Sequence, residues 1–82
     1  VPTDPPLDWL LQYRRDIGTR IRGARLRANL TQEGLAALIG AERRTVVRLE
    51  LGITSPPVDR ILHIAHVLNV APASLMPDRR RQ

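Results

Sequence analysis

Between Thr31 and Gly52 two short apolar-periodic segments are crowded around a single glycine, and this spacing constrains the fold more than any other feature of the chain. Thr31 can cap a helix opening at Gln32, its hydroxyl accepting from an amide two or three residues on. Leu30 and Leu35 occupy the two positions of a hydrophobic staple around that cap. The first segment runs to about Ile39, where Gly40 supplies a stop. One or two residues further on a second segment begins, with Val46 and Leu49 facing one way and Arg43, Arg44, Val47 and Arg48 the other. Leu35, Ile39, Val46 and Leu49 are expected to pack the two helices together, with Ala36 allowing close approach and Gly40 the sharp turn. A plain helical hairpin does not call for a Thr-Gln cap, a turn glycine and a basic outer face together, and their coincidence favours a helix-turn-helix.

The flanking sequence extends the helical pattern. Leu7, Leu10, Leu11, Ile17, Ile21, Ala24 and Ala28 recur at spacings of three and four, with Asp4 or Asp8 as the cap. Gly18 and Gly23 weaken that stretch and leave open one long helix or a leader followed by a separate helix. Asn29 can end it in the left-handed conformation. Beyond Gly52, Ser55-Pro56-Pro57 introduces a helix whose expected buried stripe is Val58, Ile61, Leu62, Ala65 and Leu68, ending near Asn69. A last short helix is expected from Pro72 to Met76, closed by Pro77. With 82 residues the chain holds one modest core, and with no Phe, one Trp and one Tyr that core must be built from Leu, Ile, Val and Ala. The expected fold is therefore all-α. Its expected parts are a partly helical extension at 1–13, the helix-turn-helix domain at 14–77 and a basic, disordered tail at 78–82.

Charge narrows the partner. Thirteen basic residues, all Arg, stand against eight acidic ones, for a formal net charge of +5, which favours polyanions. The absence of Lys is explained in larger part by codon bias than by function. Nine arginines (14, 15, 20, 22, 25, 27, 43, 44 and 48) fall between residues 14 and 48 against Asp16, Glu33 and Glu42, so the positive field centres on the helix-turn-helix half. Arg is also the side chain whose forked donors best match guanine O6 and N7.

The segment Leu30 to Gly52, LTQEGLAALIGAERRTVVRLELG, closely resembles the Cro/C1-type (Xre-type) helix-turn-helix family of bacterial and phage regulators. Ile17 to Thr31 is similar to the family's first helix, and Pro56 to Met76 to its last two, so about three quarters of the chain is covered. The resemblance implies a compact five-helix, lambda-repressor-like bundle that binds double-stranded DNA as a cytoplasmic transcriptional regulator, with a repressor as the expected sign and a homodimer on DNA as the expected assembly. It implies DNA contacts from Thr31, Gln32, Glu42, Arg43, Arg44, Thr45, Val47 and Arg48. Gln32 would meet a phosphate; Arg43, Arg44 and Arg48 would reach base edges or neutralise phosphates. Val47 would touch a thymine methyl or simply be exposed, and Arg22 and Arg27 would flank the backbone or be solvated. Arg25 and Glu50 align with a partly buried salt bridge in many family members, and each lies on or beside the apolar stripe of its helix, where an unpaired charge is costly.

Two positions depart from the family pattern. Glu42 stands where a small capping residue such as Ser is usual, and near DNA it must accept from a cytosine amine or be repelled by phosphate. Gly34 replaces a helix former, costs the helix about 1 kcal/mol and removes half of a capping box.

Other function classes have less support. No Ser/His/Asp or Cys/His constellation or phosphate-cradling glycine loop is visible, so an enzyme is not expected, and no cofactor is implied. His63 and His66 lie three apart, a spacing seen in metal sites, but with no Cys and no further His a surface pair is the better reading. No apolar run approaches the ~18 to 20 residues of a membrane span, and no membrane partner is expected. Trp9, Leu10, Leu11 and Tyr13 either pack as an extra turn over the core or form a partner surface. A protein-interaction module of the same fold, antitoxin or coactivator-like, is the alternative function. Whether the chain is a whole regulator or the DNA-binding part of a longer one stays open.

Overall fold

The structure, a computed structural model, describes residues 7–78. Among these residues four α-helices follow in order: α1 (Asp8–Arg27), α2 (Gln32–Leu38), α3 (Arg43–Leu51) and α4 (Val58–Leu68), and a 3-10 turn (Pro72–Leu75) comes after them. The expectation of five helices is corrected on this point. Pro72 opens the last element, and Pro77 restricts Met76 to the extended conformation it shows, so there is room only for the tighter turn, held by Ser74 N–H to Ala71 O and Met76 N–H to Ala73 O.

The open question about the first stretch is answered by one helix of 20 residues that passes Gly18 without a break. Leu7 is its N-cap and Asp8 its first helical residue, so Asp8 contributes charge in the first turn rather than a cap. Asp4 and the tail from Arg79 to Gln82 lie outside the described residues.

All four helices end alike. One residue adopts a left-handed conformation in each case, namely Asn29, Gly40, Gly52 and Asn69. The next amide reaches back to the carbonyl five residues before it: Leu30 to Arg25, Ala41 to Ala36, Ile53 to Arg48 and Val70 to Ala65, all at 2.9–3.1 Å. This is the Schellman closure, which satisfies carbonyls that the helix itself leaves unpaired.

The core is aliphatic, as the composition requires. Ile21 and Ala24 of α1 meet Leu35, Ala36 and Ile39 of the α2 region, Val46 and Leu49 of α3, Ile61, Ile64, Ala65 and Leu68 of α4, and Leu75. Two expected stripes are corrected. On α4 the buried face runs through Ile61, Ile64, Ala65 and Leu68, while Val58 and Leu62 are exposed. Residues 61, 64, 65 and 68 keep the three-and-four spacing, whereas Leu62 sits about 100° round from Ile61. On α1, Leu7 and Ala28 are exposed and the buried face passes through Gly18 instead.

Gly18 is where α1 crosses the end of α3. A Cβ there would lie 2.5 Å from the carbonyl oxygens of both Leu49 and Glu50, so only glycine permits this approach. Gly52, at φ 75°, fits against the backbone of Arg15 on the same side.

Candidate nucleic-acid interface

The second helix begins on a formed cap. Thr31 Oγ1 accepts from Gly34 N–H at 2.9 Å, as the Thr-Gln pattern predicts. Leu30 packs on the core and Leu35 is fully buried within it. Ala36 is 2% exposed, in keeping with close helix packing. The turn after it uses Gly40 at φ 66°. Arg60 of α4 donates Nη1 to Ile39 O over 3.4 Å, a tie on the carbonyl end of α2 that the sequence reading did not anticipate.

The third helix is two-sided. Val46, Leu49 and Glu50 are buried, Arg43, Arg44 and Arg48 are exposed, and Thr45 and Val47 are half-buried. Val46 and Val47 therefore differ as their helical positions require. The result is a nine-residue helix with an apolar inner face and an arginine-rich outer one. Glu42 takes the N-cap position with extended backbone but makes no capping hydrogen bond; its Oε2 lies 2.9 Å from Arg44 Nε.

Arg25 and Glu50 join the frame from within. Arg25 Nε donates to Glu50 Oε2 at 2.7 Å and Nη2 to Oε1 at 3.0 Å, a two-pronged contact between side chains only 8% and 3% exposed. The third nitrogen, Nη1, donates to Leu30 O at 2.8 Å, just before the cap of α2. The hydrogen bond to Glu50 holds the guanidinium pKa above its ordinary value, and attraction to the carboxylate adds to this while desolvation opposes it.

Gln32 belongs to the same cluster. Its Nε2 donates to Glu50 Oε1 at 3.2 Å. One amide hydrogen is thus already committed inside the protein, a link the sequence alone does not reveal. Gly18 was also missed as a contact residue; the available signal was a glycine placed beside an apolar stripe.

The remaining sequence features lie on α1 and α4. Trp9 and Tyr13 form an edge-to-face pair with ring centroids 6.0 Å apart near the start of α1, with Trp9 exposed. His63 and His66 are both exposed on α4, and Arg22 and Arg27 are exposed on α1. Among the described residues no helix is long and apolar enough to cross a membrane.

A capped helix, a left-handed glycine turn and a second helix with a basic outer face together define a helix-turn-helix, the fold of a DNA-binding regulator. The helix-turn-helix family HTH_3, the Cro/C1 type, matches residues 21–75, and the chain belongs to that family. A helix-turn-helix-type transcriptional regulator of Archaeoglobus fulgidus is 43% identical over 51 residues, covering 62% of this chain and 72% of that protein. A second, the y4mF regulator of Sinorhizobium fredii, is 33% identical over 67 residues, or 82% and 88% of the two chains. Among solved structures the restriction-modification controller protein C.AhdI from Aeromonas hydrophila superposes with a TM-score of 0.76 at 32% identity, over 80% of this chain and 96% of that one. The protein is accordingly a transcriptional regulator with a helix-turn-helix DNA-binding fold.

Proposed function

We propose that the chain binds double-stranded DNA sequence-specifically as a bacterial repressor, laying α3 in the major groove. The observation that carries this reading is the outer face of α3, where Arg43, Arg44 and Arg48 are all exposed on a helix anchored by Val46 and Leu49. Arginine donors reach guanine O6 and N7 from such a face, and Thr45 and Val47, half-buried beside them, are within the same groove contact. Thr31 and Gln32 at the start of α2 meet the phosphate backbone and fix the register of α3. Gln32 retains one amide hydrogen for that contact beyond the bond to Glu50. Repression follows by occupancy where the operator overlaps a promoter, with two copies of the chain on the site.

Selection of bound duplexes from random DNA, followed by a salt titration on the winner, tests the proposal. A recurrent motif and an affinity that falls steeply between low and moderate salt are expected. No enrichment, or an affinity indifferent to salt, would overturn it and favour a protein-interaction role for this fold.

A further inference from the structure

Glu42 is a carboxylate placed at the head of an arginine-rich helix, and folding accounts for it only in small part, through attraction of its charge to the helix N-terminus. It makes no capping hydrogen bond, although a Ser, Thr or Asp at the same backbone position would. Its ion pair with Arg44, at 2.9 Å, joins side chains that are 72% and 73% exposed, and exposed pairs of this kind add little to stability. Beside a polyanion a carboxylate is a handicap for affinity.

We infer that Glu42 is a specificity-determining residue, which by engaging Arg44 Nε restricts Arg44 to end-on recognition of guanine and withholds it from phosphate. The inference rests on the reading of α3 as the element that meets DNA. A guanidinium can address guanine O6 and N7 with its two terminal nitrogens, or with Nε and one terminal nitrogen. Glu42 holds the Nε edge and leaves the terminal pair. The two residues together carry no net charge, so they release no counterions when they approach the backbone, and the carboxylate repels phosphate oxygens directly. Binding to unrelated DNA runs on phosphate contacts and loses one of them. A guanine contact depends on donor geometry and is kept. Discrimination thus comes partly from penalising the wrong partner.

The experiment compares the parent chain with Glu42→Gln and Arg44→Ala, singly and combined, on a selected duplex and an unrelated one of equal length, across a salt series. Glu42→Gln preserves shape and removes the charge. It is expected to tighten binding to the unrelated duplex roughly three- to tenfold at low salt and to steepen the log-log salt slope by about 0.9, the value of one further phosphate contact. The selected duplex gains less, so the ratio of affinities falls, and in the Arg44→Ala background the same change moves the ratio less, because only the direct repulsion between carboxylate and phosphate is then removed. Glu42→Ser, which restores a capping hydroxyl, carries the same expectation with a helix at least as well capped. A parent that binds both duplexes alike overturns the reading of α3 as a sequence reader, and this inference with it. A discriminating parent whose ratio and slope are unchanged in Glu42→Gln and Glu42→Ser overturns this inference alone.

Discussion

Gln32 Nε2 donates to the same oxygen of Glu50, Oε1, that Arg25 Nη2 holds, so α1 and the first residue of α2 share one carboxylate from the last turn of α3. The cluster links α1, the turn at Leu30, the start of α2 and α3, which are the parts that must keep a fixed relation if α2 and α3 are to approach DNA together.

Its stability should show the asymmetry of buried ion pairs. Arg25→Ala or Glu50→Ala leaves the surviving charge inside the protein without its partner, and each should cost about 3 kcal/mol. Replacing both by apolar residues of similar size, Arg25→Met with Glu50→Leu, should cost less than the sum of the single changes, because no charge is left unpaired. Urea denaturation of the three variants measures this. Single variants that unfold at the parent's midpoint would show that the pair carries no stability.

Gly18 and Gly23 lie on the same helix and should respond oppositely to alanine. Both would gain about 1 kcal/mol from helix propensity. At Gly18 the new Cβ meets two carbonyl oxygens at 2.5 Å, which only a shift of α3 against α1 relieves, so a net loss of roughly 1 to 3 kcal/mol is expected. At Gly23 the nearest atom is the movable tip of Arg27 at 3.2 Å, and a small net gain is expected. Thermal melts of Gly18→Ala and Gly23→Ala give the comparison, and a Gly18→Ala that melts above the parent would refute the close-contact account.

This pair also marks how far the sequence could be read. Helix ends were legible because they are local: Asn29, Gly40, Gly52 and Asn69 announce left-handed closures through their own residue types, and all four adopt them. The cap at Thr31 and the division of Val46 from Val47 were legible for the same reason. Gly18 was legible only as a propensity cost, since its reason lies in the backbone of residues 49 and 50, distant along the chain. The burial of Ile64 in place of Leu62 likewise depends on how α4 is rotated against its neighbours, which a short apolar-rich segment leaves undetermined. On the candidate interface the arginine face was readable, but the bond from Gln32 to Glu50 was not, because it needs the distance between two helices.

The three exposed arginines of α3 can be sorted by what they touch. Replacing a base-reading arginine, as in Arg48→Ala, should cost about 1 to 3 kcal/mol on the selected duplex and relax preference at one position. Replacing an arginine that only neutralises phosphate should weaken all duplexes alike and reduce the salt slope by about one. Repeating the duplex selection with Arg43→Ala and Arg48→Ala distinguishes the cases. If neither variant changes affinity for any duplex, α3 is not the DNA-facing helix.

The protein should occupy DNA as a symmetric dimer, an expectation that rests on the length of α3. Nine helical residues extend about 13 to 14 Å, enough for a few base pairs of one major groove and too little information to single out one site in a bacterial genome. Two copies related by a two-fold axis would place two α3 helices in successive grooves about 34 Å apart, on half-sites that mirror each other. The surface that joins the copies must be exposed. Leu75, in the 3-10 turn, is 1% exposed and belongs to the core, and Val70 packs against that core, which leaves Met76 near the C-terminal end and Trp9 in the Trp9 to Tyr13 stretch on α1. Trp9 is 58% and Met76 47% exposed, so Trp9→Ala and Met76→Ala should each be tolerated by the fold, and the one at the junction should weaken cooperative occupancy of the full site while leaving half-site affinity intact. Analytical ultracentrifugation with and without a selected duplex provides the stoichiometry. Two chains on a palindromic site are expected; a saturated complex with one chain per minimal site and no symmetry in the selected sequences would refute the dimer.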